Sequence, residues 1–307
     1  LGRYDTALQH FNNFRAVVVS PISVGRAGYW IERTYEAAGN AEGAALGYAL
    51  GAQYQSSFYG QLAAERGGIA ADRAFLRQDS DFVDDDVFQA AMALFEADEI
   101  GLASRFWTHL TESLSRQDAG RLGDMALELG SPHIALRIAK RAAQNGHEIM
   151  RAYYPIYPDL VEADLPVSAR LTLSIARRES EFNPAVISGA GAVGLMQVMP
   201  GTGRQMAARL NVGFSESRLF SDAGYNAVLG AGYLDYLIEE FGPNPVLIAS
   251  AYNAGPSRAI RWSEENGDPW DPEVDIVDWI EGIPFRETRN YVMRVTESML
   301  IYDAHLS

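Results

Sequence analysis

The residue in this sequence best placed to do chemistry is Glu179. Projected at 3.6 residues per turn, Val167, Leu171, Ile175, Glu179 and Phe182 fall on one side of a helix, and Arg170, Ser174, Arg177 and Glu181 fall on the other. A carboxylic acid therefore stands where a core side chain is expected. Asn183-Pro184 must end the helix, because proline disfavours helical geometry in the residue before it and has no N–H to give, so Glu179 falls in the last turn. Burial penalises the ionised form and the negative end of the helix dipole repels a carboxylate; each effect is worth on the order of 1 kcal/mol and both raise the pKa. A glutamate held protonated near neutral pH is equipped to act as a general acid. The plainer alternative is a boundary residue that reaches solvent or pairs with the adjacent Arg178.

Other polar and flat residues cluster in the sequence after it. Ser188 to Gly194 reads SGAGAVG and runs into Leu195-Met196-Gln197-Val198-Met199-Pro200. Gly189, Gly191 and Gly194 have the G-x-G-x-x-G spacing of a dinucleotide loop, but that fingerprint needs a strand before it and a helix opening directly after it. Here a helix precedes and Pro200-Gly201 interrupts, so the dinucleotide reading fails. The roughly sixteen residues between Pro184 and Pro200 are long for a helix-to-helix connection, and long ordered loops usually carry function. Further on, the apolar run Pro245 to Ala251 would be buried and would hold Tyr252-Asn253-Ala254-Gly255-Pro256 in place. A polysaccharide site needs hydrogen-bonding groups on a rigid support beside flat apolar faces. Tyr252 and Asn253 offer the first; Tyr252, Tyr291, Met196 and Met199 offer the second. Met196 and Met199 are equally suited to filling gaps in a core, and Asn253 to capping the turn before Gly255. Glu287 and Tyr291 stand one turn apart on the last helix.

The elements that must position these residues are helices. From Leu1 to about Asp159 the chain is alanine-rich, with helices expected at Tyr29 to Ala38, Ala44 to Ala64, Val87 to Ala97, Ile100 to Leu114, Ala119 to Leu129 and Ile134 to Gln144, each closed by glycine, proline or a polar cluster. Trp30, Phe58, Phe95 and Trp107 read as packing between stacked helical hairpins. Asp79 to Asp86 (DSDFVDDD) reads as an acidic cap on the helix that follows. Tyr153-Tyr154-Pro155-Ile156-Tyr157-Pro158 breaks the pattern and marks a boundary, giving domains of 1–159 and 160–307. In the second, Thr202 is expected to cap a helix to Leu210, and Ser221 one from Asp222 to Phe241. The loop Asn266 to Asp275 carries Trp270, read either as a saccharide contact at a groove rim or as a staple to the core. At most a short two-stranded wing is expected, near Gly194 to Val198. The fold class is thus all-α.

Composition excludes several functions. The chain has 307 residues, a formal net charge of −15 and 48% hydrophobic residues, enough for two domains and wrong for binding nucleic acid or an anionic membrane surface. No apolar run is long enough to span a bilayer. With no cysteine and five scattered histidines, neither a metal nor a cofactor is expected. The chain opens on Leu1 without a signal-like segment and reads as a processed or truncated product.

Glu179-Ser180, Gly194-Leu195-Met196-Gln197, Ala251-Tyr252-Asn253-Ala254-Gly255 and Glu287-Thr288-Arg289-Asn290-Tyr291 resemble, in order and spacing, the motifs of the soluble lytic transglycosylases, goose-lysozyme-like enzymes of bacterial peptidoglycan. The resemblance is densest from Val167 to Tyr302, and weaker at Tyr29-Trp30 and Phe58-Tyr59-Gly60-Gln61-Leu62, which look like phrases of that family's helical superhelix domain. It implies a lysozyme-like, mainly α catalytic domain behind an N-terminal α-superhelical domain that positions glycan without chemistry of its own. It also implies a periplasmic location and a peptidoglycan glycan strand as partner; no other cell-wall partner is legible. Glu179 would be catalytic, with Ser188, Met196, Gln197, Met199, Tyr252, Asn253, Glu287 and Tyr291 binding substrate. The reaction implied is non-hydrolytic cleavage between N-acetylmuramic acid and N-acetylglucosamine, giving 1,6-anhydromuramoyl ends. A hydrolytic goose-type muramidase and a non-catalytic glycan-binding scaffold are the alternatives.

Overall fold

A computed structural model describes residues 3–70 and 86–307. The acidic run Asp79 to Asp85 lies outside the described residues. Among those described, every regular element is a helix, and the only β pairing is two isolated antiparallel bridges, Ile187 with Val193 and Val193 with Val198. The expected all-α architecture holds, with the wing reduced to those bridges. No described helix is long and apolar enough to cross a membrane.

The chain divides into two compact units, Leu1–Pro155 and Ile156–Ser307. The sequence reading drew the line four residues later, at Asp159. The difference arises because the short helix that starts at Asp159 packs within the second unit and takes Ile156 to Pro158 with it.

The first unit holds α1 (Tyr4–Val17), α2 (Pro21–Ala37), α3 (Ala41–Gly51), α4 (Phe58–Arg66), α5 (Asp86–Glu96), α6 (Ile100–Leu110), α7 (Arg116–Glu128), α8 (Pro132–Gln144) and α9 (Met150–Tyr153). Neighbours in sequence pack on each other, α1 on α2, α2 on α3, α5 on α6 and α7 on α8, as hairpins should. The single helix expected from Ala44 to Ala64 is instead two. Ser57 accepts from Gly60 N at 3.2 Å and donates to Tyr54 O at 2.8 Å, so one hydroxyl caps α4 and fixes the turn before it. Trp107 is fully buried, 5.6 Å from Phe95 between ring centroids, in a core that also takes Leu122, Ile134 and Ile138.

Where α2 crosses α3, glycines let the backbones touch: a Cβ on Gly28 would lie 2.9 Å from Gly51 Cα. That crossing also traps Glu32. It has no exposed surface, and neither carboxyl oxygen has a hydrogen-bond partner. Desolvation above all, then the charge of Glu36, raises its pKa from 4.5 to about 8, with Arg66 opposing. The folded chain therefore holds a proton that the unfolded chain releases above pH 4.5. The stabilisation is complete below that pH and is lost as pH rises through about 8. Glu32→Gln should accordingly gain in melting temperature on the parent as pH rises from about 5 to about 8.5. Calorimetry at the two pH values checks it; the same difference at both would show that this carboxyl is not linked to folding.

The second unit holds α10 (Asp159–Glu162), α11 (Ala169–Ser180), α12 (Pro200–Arg209), α13 (Glu216–Ser221), α14 (Ala223–Phe241), α15 (Pro245–Ala254), α16 (Pro256–Asn266), α17 (Ile276–Gly282) and α18 (Arg286–Leu306). α11 packs along α18, which also carries α15, while α14 carries α12, α13 and α15. Three boundary expectations are corrected. Pro200 takes the first position of α12 with Met199 before it, so Thr202 lies inside the helix, as proline's fixed φ suits that position. Asp222, not Ser221, caps α14, accepting from Tyr225 N at 2.9 Å, because Ser221 is the last residue of α13. α15 continues through Ala254, so Tyr252 and Asn253 sit in its final turn.

Candidate active site

α11 is buried almost all round. Leu171 and Ile175 are buried as their face required, but Ser174 and Arg177, expected on a solvent face, are buried too. Ser174 satisfies its hydroxyl by donating to Arg170 O at 2.7 Å, which lets a polar side chain sit inside. The helix ends at Ser180, earlier than Pro184 would require. Glu181 and Phe182 both take left-handed conformations, φ 52° and 61°, uncommon for residues with a Cβ. Phe182 is thereby buried and stacked on Tyr157 at 5.9 Å. Ser180 donates to Leu195 O at 2.6 Å, tying this helix end to the glycine loop.

Glu179, in the last turn, is half-buried. Its Oε1 accepts a hydrogen bond from Tyr291 Oη at 2.7 Å. Desolvation is the largest influence and raises the pKa from 4.5 to about 7; the Tyr291 hydrogen bond and Arg178 pull it down, and the charge of Glu287 pushes it up. Tyr291 and Tyr252 are both driven well above the usual phenol value, first by burial and next by the charge of Glu179, so both stay donors. Arg178 lies over the Tyr291 ring, 5.6 Å from its centroid.

The loop from Val186 to Met199 is held by its own backbone and by α14. Ser188 Oγ accepts from Ala192 N at 2.9 Å, and Gly194 N donates to Val186 O at 2.9 Å. Asn226 on α14 holds the rest. Its Oδ1 accepts from Met196 N at 2.9 Å, and its Nδ2 donates to Val193 O at 2.8 Å and to Leu219 O at 3.1 Å. Gly194, with φ 76°, is obligatory here, since a Cβ would meet the Asn226 amide. Three positions on one α14 stripe serve this region: Asn226 on the loop, Gly230 against Met196, and Tyr233 on Tyr252, 5.4 Å between centroids.

The arrangement joins one proton-bearing carboxyl to two tyrosines beside a rigid glycine loop. Comparison with known proteins gives it a context. Residues 162–273 match the family described as the transglycosylase SLT domain. The soluble lytic murein transglycosylase of Escherichia coli K12 is 31% identical over 262 residues, 82% of this chain and 39% of the relative. A putative soluble lytic murein transglycosylase of Haemophilus influenzae is 30% identical over 214 residues, 68% of this chain and 35% of the relative. The chain therefore spans well under half the length of these relatives. Two solved structures superpose on 99% of it: an inactive glutamate-to-glutamine mutant of the lytic transglycosylase Slt of Pseudomonas aeruginosa, at TM-score 0.75, 28% identity and 50% of that chain, and the 70 kDa soluble lytic transglycosylase of Escherichia coli, at 0.76, 25% and 51%.

The chain belongs to the SLT transglycosylase family. The matched stretch of the SLT domain ends before α18, yet α18 supplies the tyrosine that touches Glu179.

Of the residues expected to bind substrate, Tyr252, Tyr291 and Glu287 gather around Glu179. Tyr252 Oη donates to Met196 O at 2.8 Å, and Tyr291 bonds Glu179 itself. Asn253 Oδ1 accepts from Thr288 Oγ1 at 2.7 Å, joining α15 to α18 rather than capping the turn. Gln197, at φ 49°, donates through Nε2 to Val186 O and Gly194 O, both at 3.0 Å, so its amide N–H groups brace the loop. Met196 is a correction: its side chain is fully buried against Gly230 and offers no face to a sugar, whereas Met199 is 42% exposed. Ser188 is half-buried and acts within its loop. Asn226 and Tyr233 went unread; a polar residue recurring on an otherwise apolar helix stripe, the pattern that exposed Glu179, is the signal that marks them.

Two measurements follow. Asn226→Ala orphans buried partners in three hydrogen bonds and should lower the unfolding free energy by about 2–4 kcal/mol in urea titrations; a loss below about 0.5 kcal/mol would mean that the loop is held elsewhere. Tyr291→Phe removes a donor to the carboxylate, so Glu179 should titrate above its parental value of about 7, read from the carboxyl stretch by infrared difference against Glu179→Gln. An unchanged or lower value would remove Tyr291 as its partner.

Proposed function

We propose that this chain is a peptidoglycan lytic transglycosylase whose chemistry is done by Glu179. The observation that carries the reading is the carboxyl itself: buried enough to keep its proton near pH 7 and bonded to a tyrosine that steadies its ionised form. The names of its relatives, lytic murein transglycosylases, supply the substrate class. The Pseudomonas aeruginosa Slt carrying glutamine for a glutamate is described as inactive, which supports giving the proton to a glutamate here.

Most glycosidases work with two carboxylates, roughly 5 to 9.5 Å apart, the second serving as nucleophile or as base for water. The carboxylate felt at Glu179 is Glu287, on the exposed first turn of α18, and its charge acts to keep Glu179 protonated. One acid suffices when the nucleophile is already part of the substrate. Glu179 gives its proton to the glycosidic oxygen as the muramyl C1–O bond breaks, releasing N-acetylglucosamine with a free hydroxyl. The resulting carboxylate then takes the proton from the muramyl C6 hydroxyl as O6 bonds to C1. The acid is restored, no water is consumed, and the effective molarity of an internal hydroxyl replaces the second carboxylate. The Tyr291 hydrogen bond suits both halves of the cycle, since it favours the carboxylate that the first step creates. Tyr252, exposed Met199 and the loop that Gln197 braces are the groups we assign to holding the sugars. A murein substrate places the work in the cell envelope, and we assign the chain to the periplasm.

Glu179→Gln keeps the shape but delivers no proton, and should reduce turnover on sacculi at least about a hundredfold. Parental activity should fall as pH rises through about 7, where the acid loses its proton. Mass spectrometry of the products should find 1,6-anhydromuramoyl ends. Mainly reducing ends would make the enzyme a hydrolytic muramidase, and near-normal turnover by the glutamine variant would remove Glu179 from the mechanism.

A further inference from the structure

The second unit presents an indole to solvent that its own surroundings hold rigid. Trp270 lies in the connection between α16 and α17, pinned at several points. Asp268 Oδ1 accepts from Trp270 N at 3.0 Å, Asn244 Nδ2 donates to Pro269 O at 3.4 Å, and Trp279 Nε1 donates to Gly267 O at 3.0 Å. The indole N–H donates to Phe241 O at 2.9 Å, and the ring edge fills the space over Gly242, where a Cβ would come within 2.9 Å of Cζ2. Trp270 is nevertheless 52% exposed. Its N–H and edge do the fastening, and a flat apolar surface is left facing water. The sequence alternatives, staple and contact surface, are met by different parts of one side chain.

Beside it opens a cavity of about 390 Å³. Leu247 and Ile260 give it an apolar lining; Glu240, Asp268 and Ser263 bring acceptor oxygens to it. Along α14, Tyr233 touches Tyr252, and Phe241 lies eight residues on, about 12 Å along the axis at 1.5 Å per residue, so this cavity is separate from the surroundings of Glu179.

We propose that the cavity is a second saccharide site, in which a neutral sugar ring stacks on Trp270 and its hydroxyl or acetamido N–H groups donate to Glu240, Asp268 and Ser263. A rigid aromatic plane, an apolar lining and a few convergent polar groups are what a sugar ring needs. A lone ammonium fills little of such a space, and exposed carboxylates in water hold a single cation weakly. The site rests on the function proposed above in one respect: its natural ligand is the same glycan. A strand engaged at both places is retained through effective concentration, with no added contact at Glu179.

Binding is measured on the full 307-residue chain carrying Glu179→Gln, so that retention is read without cleavage. The probes are peptide-free N-acetylglucosamine oligosaccharides and insoluble sacculi. Adding Trp270→Ala should weaken binding to both by about fivefold or more, while Trp270→Phe, which keeps an aromatic plane, loses less. With Glu179 intact, Trp270→Ala should leave kcat on a short soluble glycan unchanged and raise KM on sacculi. Should Trp270→Ala fail to fold, Ile260→Lys, at an exposed position in the lining, makes the same test. Parental affinity in these variants would overturn the proposal. So would a parent that binds peptide-bearing sacculi but not the peptide-free oligosaccharides, which would give the cavity to an amine-bearing peptide. Binding that behaves as expected in a chain that never cleaves would leave this site standing and remove the catalytic reading instead.

Discussion

A carboxyl that keeps its proton in neutral water must be surrounded, and the second unit is arranged to surround one. α11 is enclosed on faces that its sequence would leave open, because α18 runs along it and the loop after it folds back against its end. Burial raises the pKa of Glu179, while Tyr291 and Arg178 restrain the rise to about 7. Either influence alone would fail: desolvation unopposed gives an acid too weak to ionise in turn, and the hydrogen bond without burial gives a permanent carboxylate. The balance depends on α18, whose tyrosine is 112 residues away in the chain.

The loop beside Glu179 obeys a different rule. Its side chains are spent on its own backbone. Gln197, Ser188 and Ser180 each bond a main-chain group of the loop, and Asn226 reaches in from α14 to bond two more. A segment with so little regular structure must find partners for its buried N–H and C=O groups among side chains. Any ligand laid against the loop then meets a preformed surface, which lowers the ordering cost of binding.

How much of this could be read from the sequence divides by distance along the chain. Helix identity, the placement of Glu179 in a last turn and the rigidity of Tyr252 follow from neighbours within a few residues, and the structure keeps them. Ser174 and Arg177 were misread as solvent-facing because periodicity cannot see that a second helix covers the polar side. Met196 turned on Gly230, whose missing side chain makes room for its sulfur; either residue alone leaves the question open. The split between α3 and α4 turned on one serine hydroxyl, a local signal present at Ser57 and outweighed by the alanine-rich run around it.

The left-handed backbone at Glu181, Phe182 and Gln197 also constrains how this protein can change. Glycine would relax the backbone at each of these positions, but at Phe182 it would also delete a buried ring and at Gln197 the two hydrogen bonds that brace the loop. The same replacements would free the helix end below Glu179 and slacken the loop that Gln197 braces. Local strain and the contacts it permits are therefore inseparable at these residues, and a lineage that relieved the first would loosen the support of the acid with it.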